Sequence, residues 1–158
     1  MELSFQEKSI FGTLLGLLLV AIYFFVNVAE IAGSPVATDA GALMGLCIVV
    51  VLASIVFQVA YHVIIAILDR RDMPDGKPPF DERDARIDSR ASKLAYLVLS
   101  IGAVVALGHL VVGDAVVPER AASFAQSNSM TAVILMATLL LAEMVKCVTQ
   151  LWYYRHGI

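Results

Sequence analysis

Polar side chains recur at helical spacing inside two otherwise apolar segments of the chain. In the segment 130–154 they share one helix face and are Glu143, Lys146, Cys147 and Gln150. In the segment 42–68 the corresponding stripe is Ser54, Gln58, Tyr61 and His62. His62 and Cys147 each lie about seven residues, or roughly 10 Å, from the same end of their segments. The two stripes could therefore meet at one depth, as a polar seam that binds a ligand or an ion.

The seam has two interpretations. Ionisable side chains inside membrane segments are energetically costly and often mark functional sites. A small cavity open to the cytoplasm, with Glu143 and His62 as groups that exchange protons, would fit that rule. Alternatively, Glu143 and Lys146 pair on one helix turn, Lys146 extends toward the aqueous interface, and the glutamines bond between helices. The sequence leaves both interpretations open.

Cofactors and catalytic sites are not indicated. His62 and His109 should lie about 15–20 Å apart along the membrane normal, too far to hold one haem. Cys47 and Cys147 fall near opposite membrane faces and lack zinc-site spacing, so we expect neither a disulfide nor a metal site. No hydrolase, phosphate-loop or zinc-protease motif occurs. We therefore expect no cofactor and no enzyme activity.

A second group of chemically active residues is the segment 81–93, in which eight of thirteen residues are charged. On a helical wheel three aspartates share one face, and the basic residues lie roughly opposite. The aspartates are Asp81, Asp84 and Asp88, and the basic residues are Arg83, Arg86, Arg90 and Lys93. The acidic face could contact a cytoplasmic protein, and the basic face anionic lipid or a second subunit. Alternatively, the charges form a solvated face that anchors the adjoining span.

The same segment should begin a helix. Asp81 is a good N-cap, and Asp84 stands three residues later, close to a capping-box arrangement. No Gly or Pro interrupts 81–100, so we expect one continuous helix whose first three turns stand in the cytoplasm. Ile87, Ala91 and Leu94 form an apolar strip that should pack on a neighbouring helix.

Four apolar segments position these residues. The 158-residue chain is 59% hydrophobic and 16% charged, and spans are predicted at about 9–28, 42–68, 91–112 and 130–154. Of eleven Lys and Arg residues only Arg120 falls in a loop on the far side, which places both termini and the connector 69–90 in the cytoplasm. The fold class is therefore all-α: one transmembrane domain, 1–158, forming a four-helix bundle of two hairpins.

Small residues predict close helix packing at two places. Gly12 and Gly16 form a GxxxG pattern in the first span, and Gly102 and Ala106 form a similar pair in the third. Packing within the bundle is the favoured use. We also expect a homodimer in contact with membrane lipids, because two hairpins enclose little space, and no nucleic-acid partner, because no basic patch points to one.

A family resemblance adds to this interpretation. The stretches DERDARIDSRASKLAYLVLS (81–100) and LLAEMVKCVTQLWYYRHGI (140–158) resemble small prokaryotic four-helix membrane proteins of unassigned function, which carry a DER-type motif before the third span. The resemblance covers the second hairpin and implies location in the prokaryotic plasma (inner) membrane. Its members resemble proteins encoded beside small helix-turn-helix regulators, which favours a regulatory or sensory role. The alternative is a small dimeric transporter or channel that uses the polar seam.

Overall fold

The computed structural model describes residues 4–34, 40–68, 81–116 and 128–157. They form four helices, α1 (Phe5–Ala32), α2 (Ala40–Leu68), α3 (Glu82–Val116) and α4 (Asn128–His156). All four are long and apolar enough to cross a membrane, and no strand occurs in the described ranges. Each predicted span lies within one helix, so the all-α fold is confirmed. Residues 69–80 of the predicted connector, with Arg70, Arg71 and Lys77, and Arg120 lie outside the described residues.

Local capping explains where two of the helices begin. At α1, Ser4 Oγ accepts a hydrogen bond from Glu7 N at 3.2 Å, and Glu7 Oε2 accepts one from Ser4 N at 2.9 Å. At α3, Asp81 Oδ1 accepts from Asp84 N at 2.8 Å, and Asp84 Oδ2 accepts from Asp81 N at 3.1 Å. Both are reciprocal caps, which satisfy backbone donors that have no partner within a helix. The predicted N-cap and the continuous helix through 81–100 are confirmed.

The two hairpins meet through α1 and α4. Helix α2 packs on α1 with a short contact to α4, and α3 packs on α4. Buried apolar side chains of α1, α2 and α4, including Leu17, Phe24, Val50 and Leu140, form the core. The outward faces of α2 and α3 expose large aliphatic side chains, as expected for helices that face hydrocarbon rather than water.

Glycines allow α1 and α2 to approach closely. A Cβ on Gly12 would overlap the ring of Tyr61, and one on Gly16 would overlap the ring of Phe57. These two rings are parallel, with centroids 6.0 Å apart, and Tyr61 Oη donates to the Lys8 carbonyl at 2.8 Å. The GxxxG pattern of α1 is therefore used within the chain.

Small residues also bring α3 and α4 together. Ile87 and Ala91 are fully buried, and Ala106 is almost fully buried. A Cβ on Gly102 would overlap the side chain of Thr138. Leu94, the third residue of the predicted strip, is 43% exposed rather than buried. Close helix packing favours small side chains in the contact, and the branched Leu94 lies beside it.

Candidate functional site

The start of α3 is bound to the end of α4 through its acidic residues. Asp84, which caps α3 with one oxygen, accepts a hydrogen bond from Tyr154 Oη with the other at 2.6 Å. Arg83 Nη2 donates to the Tyr154 carbonyl at 3.2 Å. A guanidinium suits this position because the last carbonyls of a helix carry partial negative charge and lack partners in the helix. Arg83 and Asp84 therefore connect the start of α3 to the end of α4.

One turn further along, Asp88 makes a second connection to α4. Its Oδ1 lies 3.0 Å from Lys146 Nζ in an ion pair and accepts a hydrogen bond from Gln150 Nε2 at 2.9 Å. The exposed fractions of the Lys146 and Asp88 side chains are 31% and 48%. Asp84 and Asp88 are thus directed toward α4.

These contacts fix the depth of the α3 start. Asp84 lies opposite Tyr154 and Asp88 opposite Gln150, so the first turns of α3 run antiparallel along the last turns of α4 instead of projecting beyond them. A cavity of about 290 Å³ is lined by the start of α1, the start of α3 and Tyr154. The three helix ends therefore share one level, at the end that the charge distribution predicts to be cytoplasmic. Lys93, nine residues beyond Asp84, lies about 13 Å deeper along α3.

Apart from Arg83, the basic residues of the segment face away from this connection or along its side. Arg86 is exposed and donates to the Glu82 carbonyl of its own helix at 3.3 Å. The Arg90 guanidinium lies 5.7 Å from the centre of the Tyr153 ring, within the range of a cation–π interaction. Lys93 is exposed, and its ammonium group has no ion-pair partner among the described side chains.

The predicted polar seam separates into groups with different surroundings. Lys146 and Gln150 contact α3, as described, and Cys147 is buried in the core. Tyr61 contacts α1, whereas His62 is exposed and its Nδ1 lies 2.7 Å from the Gln58 carbonyl of its own helix. Since Lys146 pairs with Asp88, the expected pairing of Glu143 with Lys146 on one helix turn is not observed.

The remaining members of the seam do come together. Ser54, Gln58 and Glu143 line one cavity of about 280 Å³ among α1, α2 and α4, with apolar side chains such as Leu17 and Leu140 around them. Ser54 Oγ donates to the Val50 carbonyl at 2.7 Å. Glu143 is exposed and has no hydrogen bond or ion pair within the described part of the chain. An unpaired carboxylate near two neutral polar groups can bind a cation or a hydrogen-bond donor.

Sequence reasoning missed that the polar residues of α3 and α4 are partners. The available signal was the matching four-residue spacing, with Asp84 and Asp88 on one helix and Gln150 and Tyr154 on the other. When two antiparallel helices pack in the matching register, both pairs come into contact, Asp84 with Tyr154 and Asp88 with Gln150. No group of three or more His, Cys, Asp or Glu residues that could hold a metal ion occurs in the described ranges.

Comparison with known proteins identifies the family to which the chain belongs. No curated protein and no solved structure matches the chain. A family model described as predicted membrane protein, DUF2178, matches residues 7–158. The match includes both hairpins and therefore extends beyond the stretches that carried the resemblance. With four helices of membrane-spanning length and a match over nearly its whole length, the chain belongs to the DUF2178 family of predicted membrane proteins.

Proposed function

We propose that this protein is a non-enzymatic membrane regulatory or sensory protein, which contacts an acidic surface of a cytoplasmic protein through the exposed side of residues 81–90. The observation that carries the proposal is the separation of aspartates from basic residues around the α3 start, with Glu82 as the one exposed acidic residue of 82–90 on the basic side. Asp84 and Asp88 bind α4, whereas Arg86 on the opposite side is exposed. The contact surface is therefore the basic side rather than the acidic face first considered.

The contacts with α4 also favour the use of the α3 start as a binding surface, because they hold it in place. Capping by Asp81, the Tyr154 hydrogen bond and the Asp88 ion pair hold the α3 start along α4. A surface that is already ordered loses less conformational entropy when a partner binds. Exposed charge of one sign accelerates association with a partner of the other sign and discriminates against like-charged surfaces. Location in the prokaryotic plasma membrane, cytoplasmic termini and a homodimer stay predictions from the sequence.

The test is crosslinking in the native membrane with a matched charge reversal. A photo-crosslinking amino acid at Ala85, which is exposed beside Arg86, should capture a soluble protein with an acidic contact surface. Arg86→Glu should abolish that capture. Arg155→Glu, a reversal at an exposed basic residue at the end of α4, should leave it intact. Capture that is equal in the two variants, or capture of lipid alone, would contradict the proposed contact.

A small cation transporter or channel is the second candidate function, and the cavity at Glu143 favours it. Ser54, Gln58 and Glu143 come from two helices and line one space, and Glu143 lacks a counter-charge in the described structure. Ionisable residues within spans often mark ion pathways. A cation crossing the bundle would find its carboxylate ligand here.

Ion flux into proteoliposomes tests this second candidate. Purified protein should conduct protons or a monovalent cation, and Glu143→Gln should lower the flux at least tenfold. Glu30→Gln removes an exposed carboxylate at the other end of α1 and should leave flux unchanged. Wild-type flux no higher than that of protein-free liposomes would eliminate the transporter function without affecting the crosslinking result.

A further inference from the structure

The outward side of α3 carries a shallow groove whose surface is mostly apolar but includes several polar side-chain ends. The groove has a volume of about 650 Å³ and is lined by side chains of α3 alone: Asp88, Ser89, Ser92, Lys93, Tyr96, Leu97 and Ser100. Because the starts of α1 and α3 share one level, Lys93 lies roughly 10 Å deeper in the bundle than Lys8 of α1. Polar groups without a partner at this depth favour an occupant that can bind them.

The polar groups of the groove are mainly hydrogen-bond donors. Asp88, its only carboxylate, is already bound by Lys146 and Gln150. Lys93 has no counter-charge, and the hydroxyls of Ser89 and Ser92 make no hydrogen bond with other described residues. Tyr96 is 72% exposed and adds a phenolic hydroxyl. A set of free donors with one positive charge, beside a carboxylate whose counter-charge is Lys146, favours an anion that accepts several hydrogen bonds.

The same helix side becomes apolar immediately above the groove. Leu97, Ile101 and Val104 are each more than half exposed and continue the side that carries Lys93. An occupant with an anionic head and an apolar tail fits both parts, whereas a free anion fits only the lower one. We propose that this groove binds the headgroup phosphate of an anionic phospholipid of the inner leaflet, with an acyl chain along Leu97 and Val104.

The site lies deeper in the membrane than the contact surface at Arg86 and does not depend on it. Lys93 supplies the charge, Ser89 and Ser92 supply hydroxyl donors, and Tyr96 borders the headgroup. A second copy of the chain is a poorer occupant, because two such faces would bring the two Lys93 ammonium groups together.

Native mass spectrometry of the full chain, released from bilayers of equal phosphatidylglycerol and phosphatidylcholine, tests the site. Wild type should retain phosphatidylglycerol selectively. Lys93→Gln should lower that retention about fivefold, the effect of one basic residue near an anionic surface. The double variant Ser89→Ala/Ser92→Ala should lower it without changing the net charge. Circular dichroism checks that each variant is folded.

Arg155→Gln is the control, because it removes one positive charge at the end of α4. It should retain the lipid as wild type does. An equal loss in Arg155→Gln and Lys93→Gln would show general electrostatic attraction and overturn the site. Absence of selectivity in wild type would also overturn it. So would displacement of the lipid by excess inorganic phosphate, since the tail would then contribute nothing.

Discussion

The ion pair between Asp88 and Lys146 should contribute measurably to the stability of the bundle. Exposed ion pairs contribute about 0.2–1 kcal/mol, and removing one partner of a fully buried pair costs about 3–5 kcal/mol. With side chains 48% and 31% exposed, this pair falls between the two cases. We therefore expect a coupling energy of about 1–2 kcal/mol between Asp88→Asn and Lys146→Met.

A double-mutant cycle measures this coupling. Unfolding is followed by titrating dodecyl sulfate into mild-detergent micelles and recording the fluorescence of Trp152, the single tryptophan. Trp152 stacks on His156 of the same helix with ring centroids 4.0 Å apart, so loss of helical structure at the α4 end should change its emission. Circular dichroism provides the independent signal that two-state analysis needs.

A second cycle with Glu143→Gln and Lys146→Met is the matched control. Glu143 and Lys146 are one turn apart on α4, yet Lys146 pairs with Asp88. This control cycle should be additive to within about 0.5 kcal/mol. Coupling that is larger in the Glu143 cycle than in the Asp88 cycle would refute the reasoning and restore pairing within α4.

Two further predictions concern helix packing and capping. Gly16→Leu should destabilise the protein by about 1–3 kcal/mol, because even a Cβ would overlap an aromatic ring of α2. Gly45→Leu is the control and should change stability little, because nothing lies within 4 Å of an added Cβ there. Equal losses of stability for the two variants in dodecyl sulfate titrations would contradict the packing. Tyr154→Phe removes the hydrogen bond to Asp84 and should cost about 1 kcal/mol, measured by the same titration. In an Asp84→Asn background, Tyr154→Phe should cost less stability. The same cost in both backgrounds would show that the Tyr154 hydroxyl acts through a different group.

Much of the fold could be predicted from local patterns. Apolar segments long enough to span a membrane predicted all four helices, because backbone groups in hydrocarbon must bond within their own helix. The cap at Asp81 could be predicted as well, since it involves residues only three positions apart. The small residues at Gly12 and Gly102 identified helix faces that approach closely, although not their partners on α2 and α4.

The candidate site was less predictable, because a wheel shows which residues share a face and not which helix they meet. Lys146 and Gln150 were grouped correctly on one face with Glu143. Small rotations between those positions nevertheless direct Lys146 toward α3 and Glu143 toward the cavity beside α2. Leu94 illustrates the same limit, since the buried strip of α3 continues through small residues instead.

The sequence by itself determined that this is a four-helix membrane protein, where its helices run and how α3 begins. It also determined that Asp81, Asp84 and Asp88 lie opposite the basic residues of the α3 start. Those features depend on composition and on neighbours within a few residues. Only the tertiary structure decided that Asp84 and Asp88 face α4, that Lys146 pairs across helices, and that Ser54, Gln58 and Glu143 line one cavity. The physical reason is register: the relative shift and rotation of packed helices depend on how their side chains fit together along the whole contact.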